Sequence, residues 1–176
     1  MNGSGKLIAP IVFLTLLTLL TGCSSIDDNR SEASEPAAPS ISPEVEIRAA
    51  KARTQRVELE IADVMPNRTS VRQQEKGALF PCGEHQRQWP GGTNVVTTDE
   101  PDMDAVVAAV EKEWGDRSGW AIDKRQDTVG LPTIDISTSD GEGYLISRGT
   151  DAKTVHIRSS SSCFAVPDVF SGGGAW

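Results

Sequence analysis

The chain has 176 residues, of which 25 are acidic and 17 are basic, and its formal charge at pH 7 is −8. Nucleic-acid binding requires clustered Lys and Arg, so this acidic composition predicts no nucleic-acid partner. The length is sufficient for one domain with additional segments and is too short for two full domains.

The first 22 residues have the composition of a signal peptide. Lys6 is the only charged residue among them, and residues 7–20 are apolar apart from Thr15 and Thr18, with Pro10 near the start. This apolar stretch is long enough for a signal peptide and shorter than the roughly 20 residues that span a bilayer. The alternative is a short transmembrane anchor that is never cleaved.

The sequence Leu20-Thr21-Gly22-Cys23 follows the apolar stretch directly. It resembles the lipobox of bacterial lipoproteins, in which an aliphatic residue and two small residues precede the acylated cysteine. The resemblance implies removal of residues 1–22 and a diacylglyceryl thioether on Cys23. Two acyl chains, at about 0.8 kcal/mol per buried CH₂, hold a protein stably on a membrane. We therefore expect a lipid-anchored protein on the extracytoplasmic face of the cell membrane.

Two further segments have compositions that do not support a folded core. Residues 24–40 consist largely of Ser, Glu, Asp, Pro and Ala, and we predict a flexible stalk over residues 23–40. Residues 168–176 include three consecutive glycines and are predicted to be disordered, although the terminal Trp176 offers a group that can dock. Without residues 1–22 the formal charge is −9, which disfavours direct docking on anionic lipid.

Two cysteines, Cys82 and Cys163, remain once Cys23 is assigned to lipid. In an oxidising compartment a single remaining pair is most simply a disulfide. In the chain-entropy model such a bridge contributes roughly 4 kcal/mol. The alternative is a reactive thiol, which needs a basic neighbour, and only His85 is near in sequence.

Residues 41–66 are predicted to form an amphipathic helix. Ser42 and Pro43 are typical of a helix start, and Pro66 ends the pattern. One stripe recurs at alternating spacings of three and four. Its members are Ile47, Ala50, Thr54, Val57, Ile61 and Val64. Packing on the helix's own domain is preferred over a coiled-coil seam for a partner, because the stripe spans too few heptads.

Residues 67–167 are predicted to form an α+β domain closed by the disulfide. A helix is expected over residues 101–114, and apolar residues alternate with polar ones in several segments after it. Strands are expected at residues 70–74, 93–98, 119–126, 131–137, 142–148 and 153–160. The alternation indicates an antiparallel meander with one buried face, one solvated face, and one or two helices packed on the buried side.

The sequence contains no recognised catalytic motif, and no catalytic residue, metal or cofactor is predicted. Cys82 and His85 have the spacing of metal ligands, but the disulfide removes the thiolate and no second pair exists. His156 alternates to the solvated face. Trp89 and His85 are the candidate ligand contacts, since an exposed tryptophan can stack on sugars or peptides. Core filling is the preferred interpretation of Trp89.

The sequence resembles small actinobacterial (mycobacterial-type) cell-surface lipoproteins. Beyond the lipobox, the resemblance lies in the Pro/Ser/Glu-rich stalk, the charged helix after it and four short segments. These are Leu79-Phe80-Pro81-Cys82, Gly119-Trp120, Asp140-Gly141 and Ser161-Ser162-Cys163-Phe164. It implies no activity.

Three functional hypotheses follow from the sequence. The first is a non-enzymatic module that binds or scaffolds an envelope component such as a protein or glycan. The second is a small-ligand or glycan receptor that uses the solvated sheet face and Trp89. The third is an envelope hydrolase with His85 or His156 as the base.

Overall fold

The computed structural model describes residues 42–167, residue 170 and residues 173–176. The predicted signal peptide, the predicted stalk and Cys23, the predicted acylation site, lie outside the described residues. Among the described helices, none is both long and apolar enough to cross a membrane.

The main sheet has six strands, and every neighbouring pair in it is antiparallel. Four of its strands follow one another in the chain as a meander, because Gly141 and the 149–151 turn reverse the chain between them. The strands are β1 (Arg68–Gln73), β4 (Pro90–Thr97), β5 (Trp120–Gln126), β6 (Pro132–Thr138), β7 (Gly143–Arg148) and β8 (Thr154–Ser160). Across the sheet their order is β1-β4-β8-β7-β6-β5.

Two helices pack on the same sheet. Helix α1 (Pro43–Asp63) contacts β1, β4 and β8, and helix α2 (Met103–Trp114) contacts β5 and β6. The side chain of Asp102 caps α2 by accepting hydrogen bonds from the first-turn amides of Asp104 and Ala105. Ser42 precedes α1 in extended backbone, but its hydroxyl makes no such bond. Both helices begin and end within a few residues of the predicted bounds.

The α+β prediction is confirmed, including the helices on one face and the disulfide. The largest core cluster lies between the helices and the sheet, where Val57 and Ile61 of α1 and Val106 and Trp114 of α2 are buried. Strand residues Ile134, Ile136, Ile146 and Ile157 alternate into it. Thus α1 packs on its own domain, as the preferred interpretation of its stripe stated.

A second, small sheet was not predicted. It has the order β2-β3-β9, with β2 (Phe80–Gly83), β3 (Gln86–Gln88) and β9 (Phe164–Ala165). The disulfide between Cys82 and Cys163 joins β2 to the residue that precedes β9. The bridge therefore holds the two ends of this sheet together, although they are 81 residues apart in sequence.

The described residues at the C-terminal end, residue 170 and residues 173–176, include groups that contact the domain. Gly77 and Trp176 exchange two backbone hydrogen bonds of 2.8 and 3.1 Å. The rings of Phe170 and Trp176 pack against a second core cluster, which consists of Ile47, Leu79 and Trp89. Burial of apolar aromatic surface favours these contacts.

Candidate functional site: the open face of the sheet

The six-stranded sheet has one face covered by the helices and one face open to solvent. Side chains alternate between the faces along each strand, so neighbouring residues in a strand have opposite environments. On β8, for example, Ile157 is buried, whereas Arg158 is exposed. We call the uncovered side the open face. It is the solvated face that the sequence alternation predicted.

Two adjoining hollows lie on the open face. The first has a volume of about 460 Å³ and is lined by Asp123, Asp135 and Ser160 among others. The second has a volume of about 390 Å³ and includes Ser147 and Arg148 in its lining. Arg125, Leu145 and Arg158 line both hollows. Volumes of this size fall within the range of small-ligand sites.

The register of the strands places two of these shared residues, Arg158 and Leu145, in one row, and Arg125 lies two residues along β5 from the end of that row. Arg158 on β8 pairs with Gly92 on one side and with Leu145 on the other. Leu145 in turn pairs with Asp135, which pairs with Asp123 on the edge strand. Cross-strand neighbours have Cβ atoms about 5 Å apart, so this row forms a continuous polar surface with one apolar residue near its middle.

The arginines of the second hollow differ in their partners. Arg125 is ion-paired with Asp135, and Arg148 is 2.5 Å from a carboxylate oxygen of Glu100. Arg158 forms no ion pair with any residue that the structure describes. A guanidinium has five N–H donors, so each of the three retains donors for another group.

His156 lies on the same face, two residues before Arg158. It is half-buried and pairs with Asn94 of β4 and Ser147 of β7. Burial lowers the pKa of His156, and the nearby positive charge of Arg158 lowers it further. The imidazole is therefore biased toward its neutral form beside a persistent positive charge.

The covered face contains two buried glutamates that the sequence patterns did not identify. Glu58 of α1 is fully buried and accepts hydrogen bonds from Thr93 (2.7 Å), Gln73 (2.8 Å) and Ser159. These donors come from β4, β1 and β8, so one carboxyl group joins the helix to three strands. Gly91 makes room for it, because a Cβ at this position would contact Glu58 and Ser159.

Glu142 is the second buried glutamate. It accepts a 2.7 Å hydrogen bond from Nε of Arg53 and a 2.6 Å bond from the Tyr144 hydroxyl. Burial raises the pKa of Tyr144 well above its ordinary value, and the bond to Glu142 adds to this effect. The sequence analysis placed residue 142 at the start of the strand expected over residues 142–148. The turn ends one residue earlier, and the side chain of Glu142 enters the core.

The two residues predicted as ligand contacts have different environments. Trp89 is fully buried, with 0% of its surface exposed, so its ring is not available to a ligand at the surface. The burial of Trp89 agrees with the preferred interpretation of core filling, and Ile47, Leu79 and Trp176 pack against the ring. His85 is exposed in the turn between β2 and β3, with Nε2 at 3.5 Å from Glu84.

The residues that line the open face were not singled out from the sequence. The signal available was the period of two, which assigns Arg158 and Leu145 to the same face once the strands are placed. Among the described residues, no group of three or more His, Cys, Asp or Glu side chains is arranged to hold a metal ion. The arginines of the open face carry N–H donors and positive charge.

No family model, curated protein or solved structure matches this chain.

Proposed function

We propose that this chain is a lipid-anchored, non-enzymatic binding module of the bacterial envelope and that its open face binds another envelope component. The observation that carries the proposal is the pair of adjoining hollows on the open face, which share Arg125, Leu145 and Arg158. Helices cover the other face, where the buried carboxylates Glu58 and Glu142 already accept hydrogen bonds from groups of the fold. The open face thus offers donors and acceptors in a fixed arrangement.

The anchoring part of the proposal is supported by the Leu20-Thr21-Gly22-Cys23 segment. Acylation at Cys23 would keep the domain at the membrane without requiring the acidic surface to bind lipid. Cys23→Ala removes the acylation site, so it should change the mass of the mature protein and its membrane fractionation. An unchanged mass and fractionation would refute the anchor.

Binding can be tested in cells with a photo-crosslinking amino acid at one position at a time. Leu145 reports on the centre of the open face, and Ala108, which is exposed on α2, reports on the opposite side of the sheet. We expect a reproducible adduct from position 145 and none from position 108. Equal labelling at the two positions, or no adduct at position 145, would refute binding at the open face.

A protein adduct identified by mass spectrometry would support the scaffolding hypothesis, and a carbohydrate adduct would support the receptor hypothesis. The size of the hollows favours a ligand that presents a compact polar group. The hydrolase hypothesis requires a side chain that acts as a general base beside the bound substrate, and His156 is the histidine on the open face. For a non-enzymatic binding module, His156→Gln should leave the adduct at position 145 intact.

A further inference from the structure

We propose that Arg158 is the centre of a site for a phosphate or carboxylate group of the ligand; the inference rests on the binding function proposed above. The chain as a whole is acidic, so an accumulation of guanidinium groups on one surface is not the consequence of a basic composition. Three arginines, Arg125, Arg148 and Arg158, line the second hollow.

The acidic residue in the lining of this hollow, Asp127, is already engaged. Its Oδ1 accepts hydrogen bonds of 2.9 Å from the backbone amides of Val129 and Leu131 and so stabilises its own turn. Asp135 and Glu100 engage Arg125 and Arg148 from the sides of the hollow. Arg158 has no such partner among the described residues, so of the three arginines in this hollow it is the one whose charge is not paired with a carboxylate.

The surroundings of Arg158 leave space for an anion. Its neighbour on β4 is Gly92, which has no side chain, and its neighbour on β7 is Leu145, which has no charge. A Cβ on Gly92 would lie 3.3 Å from Nε2 of His156, so the imidazole lies close to Gly92 and borders the site on this side. Ser147 and Thr128 add hydroxyl groups to the lining.

Phosphate and carboxylate are the anions whose paired oxygens match the planar fork of a guanidinium. Such a group can belong to a lipid headgroup or to a soluble or glycan-borne compound. The formal charge of −8 disfavours approach of this domain to an anionic membrane surface. We therefore expect the soluble source.

The test is an NMR titration of the full lipidated chain with inorganic phosphate, and separately with acetate, at constant ionic strength. Backbone and arginine side-chain signals around the second hollow should shift with saturation. Arg158→Gln should weaken the apparent affinity about tenfold or more, as expected for a charged hydrogen-bonding group. The affinity of Arg158→Lys should lie between those of the parent and Arg158→Gln, because lysine keeps the charge and loses the planar fork of donors.

Arg72→Gln is the matched control, since Arg72 is an exposed arginine on β1 outside both hollows. Its affinity for phosphate should stay within about twofold of the parent, given the small reach of a screened surface charge. The absence of any saturable shift, or an equal loss in the Arg72 variant, overturns the anion site. Retained amide dispersion in each variant establishes that it is folded.

Nanodiscs distinguish the two sources. If the headgroup is the ligand, moving the anchored chain from phosphatidylcholine to phosphatidylglycerol discs should shift the hollow signals, and Arg158→Gln should abolish the shift. If the soluble source is correct, the two discs give the same spectrum and added phosphate still binds.

The crosslinking experiment separates this inference from the proposed function. An adduct at position 145 that persists undiminished in Arg158→Gln, with no phosphate or acetate binding, refutes the anion site and leaves the binding function standing. If the protein with arginine at position 158 gives no adduct at position 145, the proposed binding function is refuted.

Discussion

Replacing Glu58 by alanine is expected to destabilise the domain by about 3–5 kcal/mol. Glu58 is fully buried and accepts three hydrogen bonds, from Thr93, Gln73 and Ser159. Each buried donor left without an acceptor costs about 1–3 kcal/mol. The two hydroxyls can rotate and Gln73 is only half-buried, so the lower part of that range applies to each donor.

Glu58→Gln separates the hydrogen bonds from the volume of the side chain. The amide keeps the shape and one acceptor oxygen, but its NH₂ group faces donors, so we expect a loss of about 1–2 kcal/mol. Glu60→Ala is the control on the same helix. Glu60 forms a partly exposed ion pair with Arg117 at 3.0 Å, which is worth about 1 kcal/mol or less.

Equilibrium unfolding in urea, followed by tryptophan fluorescence, measures these differences. The urea midpoint should decrease least in Glu60→Ala, more in Glu58→Gln and most in Glu58→Ala, with the slope of the transition unchanged. A variant that loses 3–5 kcal/mol can remain folded in a domain of ordinary stability. If Glu58→Ala costs no more than Glu60→Ala, the reasoning that Glu58 attaches α1 to the sheet is refuted.

Tyr144 is the only tyrosine, so absorbance at 295 nm reports its ionisation alone. Its pKa is raised in the folded state, so the contribution of the neutral phenol to the free energy of unfolding is present below pH 10 and is lost as the pH rises further. No tyrosinate should form until the protein unfolds. A titration midpoint near 10 in the folded protein would contradict this. Cys82→Ala/Cys163→Ala should lower the free energy of unfolding by about 4.5 kcal/mol, since the bridge closes a loop with a separation of 81 residues. Urea midpoints measure this loss, and an unchanged midpoint would refute it.

Much of the fold follows from the sequence because its signals are local. The period of two in β6, β7 and β8 places Ile134, Ile146 and Ile157 on one face, and the structure has them fully buried. The stripe of α1 similarly predicts which side of the helix packs. In each case a run of neighbouring residues carries the signal, so no knowledge of the tertiary contacts is needed.

The parts that the sequence did not predict depend on distant contacts. The strand β9 has two residues and exists because β3 and the disulfide hold it in place. Glu58 lies four residues after Thr54, at the edge of the stripe, but its charge is typical of a solvent-facing residue. It is buried because donors from three strands meet it, and no spacing within α1 encodes those donors.

Polar residues on the two faces of this sheet differ in whether they contribute to stability or to ligand binding. On the covered face, Glu58 and Glu142 have their donors supplied by the fold, so they contribute to stability. On the open face, Arg158 has no ion-pair partner within the described residues. Removing Arg158 should therefore change stability little, because exposed charges contribute little to folding. Its effect should instead appear in ligand binding, which is the property that distinguishes a recognition residue from a structural one.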